Sequence, residues 1–207
     1  VNFKNLGLVI IDEHHRFGVN QRLALRKKGA SENSSPHQVI MTATPIPRTL
    51  SMGFYTEMDV SILDELPPGR TPVKTSVLSS ERREDIIAQV NFACQSGRQA
   101  YWVCTLINES ATLECEAAEK VSSELQEKLP QVSIGLVHGG LTSQEKNRRM
   151  QEFKKGNLDL LVCTTVIEVG VDVPNASLMI IENSERLGLA QLHQLRGRVG
   201  RGSEASH

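Results

Sequence analysis

Between Glu81 and Val199 short apolar runs alternate with helix-forming stretches, and that alternation leaves few folds open. Gln99–Leu106, Val132–Val137, Leu158–Cys163 and Ser177–Glu182 read as strands. Each is a short, largely apolar run. A helix is expected from about Glu81 to Gln95, where Ile86, Ile87, Val90 and Ala93 share one face and Gly97 marks the stop. A long polar helix follows from Ala111 to Leu129, ended by Pro130. Thr142-Ser143-Gln144-Glu145 has the capping-box pattern, so another helix begins there and runs to about Lys155. Leu189 to Val199 reads as a last helix, interrupted by Gly197. Strands alternating with helices imply an α/β fold, a mainly parallel sheet flanked by helices.

The N-terminal part carries the same grammar. Val9 to Ile11 form an apolar run, expected as a strand buried on both faces, and Asp12-Glu13-His14-His15 follow it directly. Those acids sit at the carboxyl end of the strand, the end where open α/β sheets bind ligands. Taken alone, the acidic pair reads better as a solvated turn after a strand. Gln21 to Lys28 is helix-forming, residues 30–37 are a polar loop, and Val39-Ile40-Met41 read as the next strand. That strand runs into Thr42-Ala43-Thr44-Pro45-Ile46-Pro47, a rigid loop with Pro47 near a helix start. The proline-rich stretch Asp64–Pro72 continues neither a helix nor a central strand. The expected organisation is a first lobe over 1–60, an interlobe linker over 61–80 and a second lobe over 81–207.

Composition narrows function mainly by exclusion. The formal net charge is −1, so any nucleic-acid binding has to come from local placement of charge. No apolar run is long enough to span a membrane, and no signal or transit segment is visible, so a cytoplasmic protein without membrane partners is expected. The first residue is Val1, not Met, which suits a piece of a longer chain. Cys94, Cys104, Cys115 and Cys163 form no CxxC pair and read as reduced core thiols.

The densest chemistry lies in Gln194-Leu195-Arg196-Gly197-Arg198-Val199-Gly200-Arg201-Gly202. Glycine lets a backbone approach a ligand closely, and arginine presents a planar fork that matches phosphate oxygens. An isolated Arg/Gly run is more often a disordered or solvated basic segment. Here it closes a folded-looking lobe, which favours a positioned phosphate site. DEHH at 12–15, TAT at 42–44, TTVIEVGVDVP at 164–174 and QLRGRVGR at 194–201 occur in order. Together they resemble motifs II, III, V and VI of superfamily 2 helicases. The longer phrases TATPIPRTL, DELPPGRTPVKT, YWVCTLINES and IENSERLGLAQLHQLRGRVGRG are similar to the RecG family of bacterial branched-DNA helicases, over nearly the whole chain.

That resemblance implies part of a first RecA-like lobe and a mostly complete second one, with ATP and Mg²⁺ held between them. Asp12 matches the aspartate that holds Mg²⁺ through water, and Glu13 the residue that orients or deprotonates the attacking water. His14 and His15 would link the nucleotide to neighbouring motifs, with His15 near the nucleotide and His14 standing where Gln is usual. Zinc binding by the pair is disfavoured, because no Cys or further His lies at ligand spacing. Arg198 and Arg201 match arginines that reach the γ-phosphate, Arg201 being the better finger. Gly170, Asp172 and Gln194 match residues near the nucleotide and the lobe interface. Thr42 and Thr44 match the motif that couples nucleotide state to DNA. Thr164, Thr165 and the His138-Gly139 turn would hold a DNA phosphate, although His138 is almost as well read as a plain turn residue.

The implied activity is ATP-driven remodelling of branched or forked DNA, by a monomer. No Lys follows any Gly, so the GxxxxGK[ST] phosphate loop is absent from these 207 residues and the chain alone is expected to lack ATPase activity. Two other readings stay open on the sequence. One is a nucleic-acid-binding module without chemistry of its own; the other is the motor of a translocase resembling the transcription-repair coupling factor.

Overall fold

A computed structural model of the chain describes residues 6–12, 21, 24, 36–42, 59–65, 70–105, 111–164, 173–202 and 206–207. The chain divides into two compact units, Val1–Ile62 and Leu63–His207.

In the first unit β1 (Leu8–Ile11) pairs in parallel with β2 (His37–Ile40), with Leu8 opposite His37 and Ile11 opposite Ile40. Val9 and Ile11 are buried, but Leu8 is 51% and Ile10 60% exposed. The expectation of a strand buried on both faces therefore fails. Side chains alternate across a strand, and only the Val9/Ile11 face of β1 is packed. Met41 N–H donates to the Ile11 carbonyl at 2.8 Å, so the strand pairing runs one residue beyond β2.

The second unit is built on a four-stranded parallel sheet. Its strands are β3 (Gln99–Cys104), β4 (Ile134–Val137), β5 (Leu160–Thr164) and β6 (Ala176–Glu182), in spatial order β4-β5-β3-β6. The helices are α1 (Arg83–Gln95), α2 (Ala111–Lys128), α3 (Ser143–Lys154) and α4 (Leu189–Arg196). Every residue of β3 and β5 is buried, as expected of central strands covered on both faces. On one face Ile87, Val90 and Cys94 of α1 and Ala118 and Leu125 of α2 pack against Ala100, Trp102, Leu160 and Val162. On the other, Met150 and Phe153 of α3 and Leu195 of α4 pack against Tyr101, Val103, Leu161 and Cys163. Tyr101 and Phe153 meet edge to face, ring centroids 5.0 Å apart.

Local signals set the boundaries. Thr142 caps α3 with the reciprocal bonds of a capping box: its hydroxyl accepts from Glu145 N–H, and the Glu145 carboxylate accepts from Thr142 N–H. The last helix ends at Arg196 rather than continuing to Val199, because Gly197 caps it. The stretch expected as a linker is, from Leu63 onward, part of the second unit. Val73 packs against the α3/α4 side of the core, and Lys74 N–H donates to the Ser206 carbonyl at 2.9 Å.

Candidate functional site

The arginine–glycine stretch forms a tight loop after α4. Leu195 and Val199 are buried and anchor it to the core, while Arg198 and Arg201 are half-buried. Gly200 has a positive φ of 71°, which favours glycine. A Cβ on Gly200 would lie 2.6 Å from Cγ2 of Val73, and one on Gly202 would lie 2.6 Å from the carbonyl oxygen of Pro174. Both glycines are thus needed for the loop to lie flat on its neighbours. Arg201 Nε donates to the Gly197 carbonyl at 3.0 Å, which sets the guanidinium against the C-terminal end of α4, where a cation is favoured.

This loop lies at the amino end of the sheet. Pro174 precedes β6, and the neighbouring Asn175 carbonyl accepts from the N–H of Gln99 at the start of β3. After the loop, His207 N–H donates to Ser177 and its carbonyl accepts from Met179, which puts the chain beside the beginning of β6. The rule that ligands gather at carboxyl ends of strands does not locate these arginines.

The carboxyl end of the same sheet holds a different set. His138 follows β4 and Thr164 ends β5; with Val137 opposite Cys163, the two are neighbours across the strand pair. His138 is 8% and Thr164 1% exposed. Nδ1 of His138 and Oγ1 of Thr164 find no hydrogen-bond partner among the described residues. Nε2 of His138 lies 3.6 Å from Oε1 of Glu119, and Lys146 Nζ donates to the Gly139 carbonyl at 2.9 Å. Buried polar atoms left without a partner are costly, and Ser177 Oγ near the start of β6 is a further one among the described residues. Thr105, which follows β3, has its hydroxyl within bonding distance of the carbonyls of Glu182 and Asn183, and Asn183 has a positive φ of 49°. Neither Thr105 nor Asn183 was marked by the sequence; a residue after a strand in a YWVCT phrase carries no pattern that singles out its hydroxyl.

In the first unit Asp12 is exposed directly after β1, and Thr42 is half-buried just past β2, so the structure brings both to the carboxyl ends of paired strands. Gln194 is half-buried on α4. Glu13, His14, His15, Thr44, Thr165, Gly170 and Asp172 lie outside the described residues. Among the described residues no three His, Cys, Asp or Glu side chains are grouped to hold a metal ion, and no helix is long and apolar enough to cross a membrane.

The helicase conserved C-terminal domain family matches residues 81–203. The chain belongs to that family. Its helicase C-terminal domain therefore coincides with the β3–β6 sheet and the helices around it. The chain is 65% identical over 207 residues to the ATP-dependent DNA helicase RecG of Pasteurella multocida, covering 100% of this chain and 30% of that protein. Against a solved structure of RecG bound to a three-way DNA junction the TM-score is 0.76, with 45% identity, over 100% of this chain and 26% of that one. Against Saccharomyces cerevisiae Dbp5 bound to RNA and ADP BeF3 the TM-score is 0.60 over 97% of this chain and 51% of that one; the 15% identity there shows shared fold alone. The expected RecA-like helicase architecture, parallel sheet flanked by helices, is thus what the second unit has. The chain spans about 30% of the length of the curated relatives it matches.

Proposed function

We propose that the chain is the motor-core portion of an ATP-dependent DNA helicase that remodels branched DNA, such as stalled forks and Holliday junctions, in recombination and repair. The carrying observation is the separation of two chemistries on one sheet. Guanidinium groups on a glycine loop lie at its amino end, and orphaned hydroxyl and imidazole atoms lie at its carboxyl end. A motor needs both, because nucleotide and DNA must be held by one rigid body at different places. Likeness to RecG over the whole chain supports branched DNA as the partner.

In this reading Arg198 and Arg201 face the γ-phosphate. Gly197–Gly202 interleaves arginines with glycine and valine and contains no carboxylate, a donor set that fits a polyphosphate. Such a cation is worth orders of magnitude in rate in comparable NTPases, and it makes hydrolysis depend on closure of the two lobes. Asp12, exposed at a strand end, would hold Mg²⁺ through water, an ion that neutralises phosphate charge when bound. Glu13 orients the attacking water; His15, Gly170, Asp172 and Gln194 complete the nucleotide side. Thr42 and Thr44 couple nucleotide state to DNA. His138, Gly139, Thr164 and Thr165 hold a DNA phosphate, a contact that positions the strand without reading sequence. Lacking a phosphate loop, the 207 residues alone do not turn over ATP.

Thr164→Val in the full-length protein that carries this segment tests the DNA side. It removes a buried unpartnered hydroxyl at constant shape, so thermal stability holds or rises. Affinity for forked DNA falls by about tenfold, roughly the worth of one hydrogen bond to a charged group. Unchanged affinity in a folded variant would remove Thr164 from the DNA site.

A further inference from the structure

We infer that Arg70 is a positioning residue for the arginine loop, tying the stretch that follows the first unit to the side chains proposed to face phosphate. The inference rests on the reading of Arg198 and Arg201 given above.

Arg70 Nε donates to the carbonyl of Gly200 at 3.0 Å, across 130 residues of sequence. That carbonyl belongs to the residue directly before Arg201 and two after Arg198. The bond is partly buried and its donor is charged, the stronger class of hydrogen bond. It does not act alone. Val73 lies against Gly200 so closely that no Cβ fits between them, and Lys74 N–H donates to Ser206 beyond the loop. Pro72 fixes its own backbone angle between these contacts. Residues 70–74 therefore form a stiff bracket that grips the loop at Gly200 and again at Ser206.

The bracket also has a telling place in the chain. The first unit ends at Ile62, and Arg70 stands a few residues further on. A change in the course of this stretch is passed to the Gly200 carbonyl and so to the spacing of Arg198 and Arg201. Arginine suits the role better than lysine, because its planar fork fixes direction as well as charge. Arg70 itself touches no phosphate in this account; it acts through the loop.

The test is DNA-stimulated ATP hydrolysis by the full-length protein carrying this segment. Arg70→Gln is expected to lower kcat about tenfold, the scale of a small misplacement of a catalytic group, with KM for ATP within about twofold. Arg70→Lys, which keeps a donor, recovers kcat to within about threefold of wild type. Combined with Arg198→Ala and Arg201→Ala together, Arg70→Gln adds no further loss, because the groups it positions are gone. A folded Arg70→Gln protein with unchanged kcat, or a loss that multiplies in that combined variant, overturns the inference. If Arg70→Gln does not fold, Pro72→Ala, which loosens the bracket and keeps the bond, is expected to lower kcat about threefold, and an unchanged kcat there overturns it equally. Normal turnover by Arg201→Ala alone would instead count against the phosphate reading on which this one stands.

Discussion

Arg83, in the first turn of α1, donates through Nε to Oε1 of Glu182 at the end of β6, 2.8 Å away. Its Nη1 donates to Glu124 of α2 at 2.6 Å, and its guanidinium lies 5.4 Å from the ring centroid of buried Trp102. One side chain thus joins two helices and a strand over the largest residue of the core. Replacing it with methionine keeps much of the stem packing and leaves Glu182 partly buried without its cation. Arg83→Met is expected to destabilise the second unit by about 2 kcal/mol, read as a lower urea midpoint at unchanged slope. A change within about 0.5 kcal/mol would show that solvent already screens the pair.

The same cluster gives the acid limb of stability a direction. The hydrogen bond from Arg83 holds the Glu124 carboxyl below the usual glutamate range, with Lys128 adding to it. The Thr142 hydroxyl does the same for Glu145. A carboxyl depressed on folding stabilises the protein above its unfolded pKa, and that contribution is lost as pH falls through the folded value. Urea midpoints should therefore decline as pH drops below about 4.5. The decline should be shallower in Arg83→Met, and parallel curves for the two proteins would separate Glu124 from acid denaturation.

Thiol chemistry gives a third check. Burial pushes the Cys94 thiol up to about 12, helped by Asp159, and the Cys104 thiol up to about 12, helped by Glu182. Burial raises Cys163 as well. Cys115 is half-buried and the other three are buried. Iodoacetamide at mildly alkaline pH is therefore expected to alkylate Cys115 in the native protein and to reach Cys94, Cys104 and Cys163 only after unfolding. Mass spectrometry showing early modification of any of those three would contradict the packing around β3 and β5.

Much of the second unit was legible in the sequence because its signals are local. QAYWVC is apolar enough to announce a strand, and Thr142 with Glu145 announces a helix start. The short apolar run of β1 does not say which face is packed, and alternation leaves Leu8 and Ile10 outside. The arginines were picked out by composition, but not their place at the amino end of the sheet. That depends on how the chain turns after α4 to lie beside Ser177 and Met179. Nor could spacing reveal that Arg70 meets Gly200, or that His138 and Thr164 end side by side with unpartnered atoms. Such facts belong to tertiary paths, which no window of residues contains.

The most direct measurement is ATP turnover on forked DNA by the full-length protein carrying Arg201→Ala. With the guanidinium removed from the Gly197–Gly202 loop, turnover is expected to fall by about a thousandfold. Binding to forked DNA without nucleotide should stay at the wild-type level, because the atoms proposed to face DNA lie at the opposite end of the sheet. Turnover within about twofold of wild type would contradict the account, since an NTPase finger cannot be removed at so small a loss.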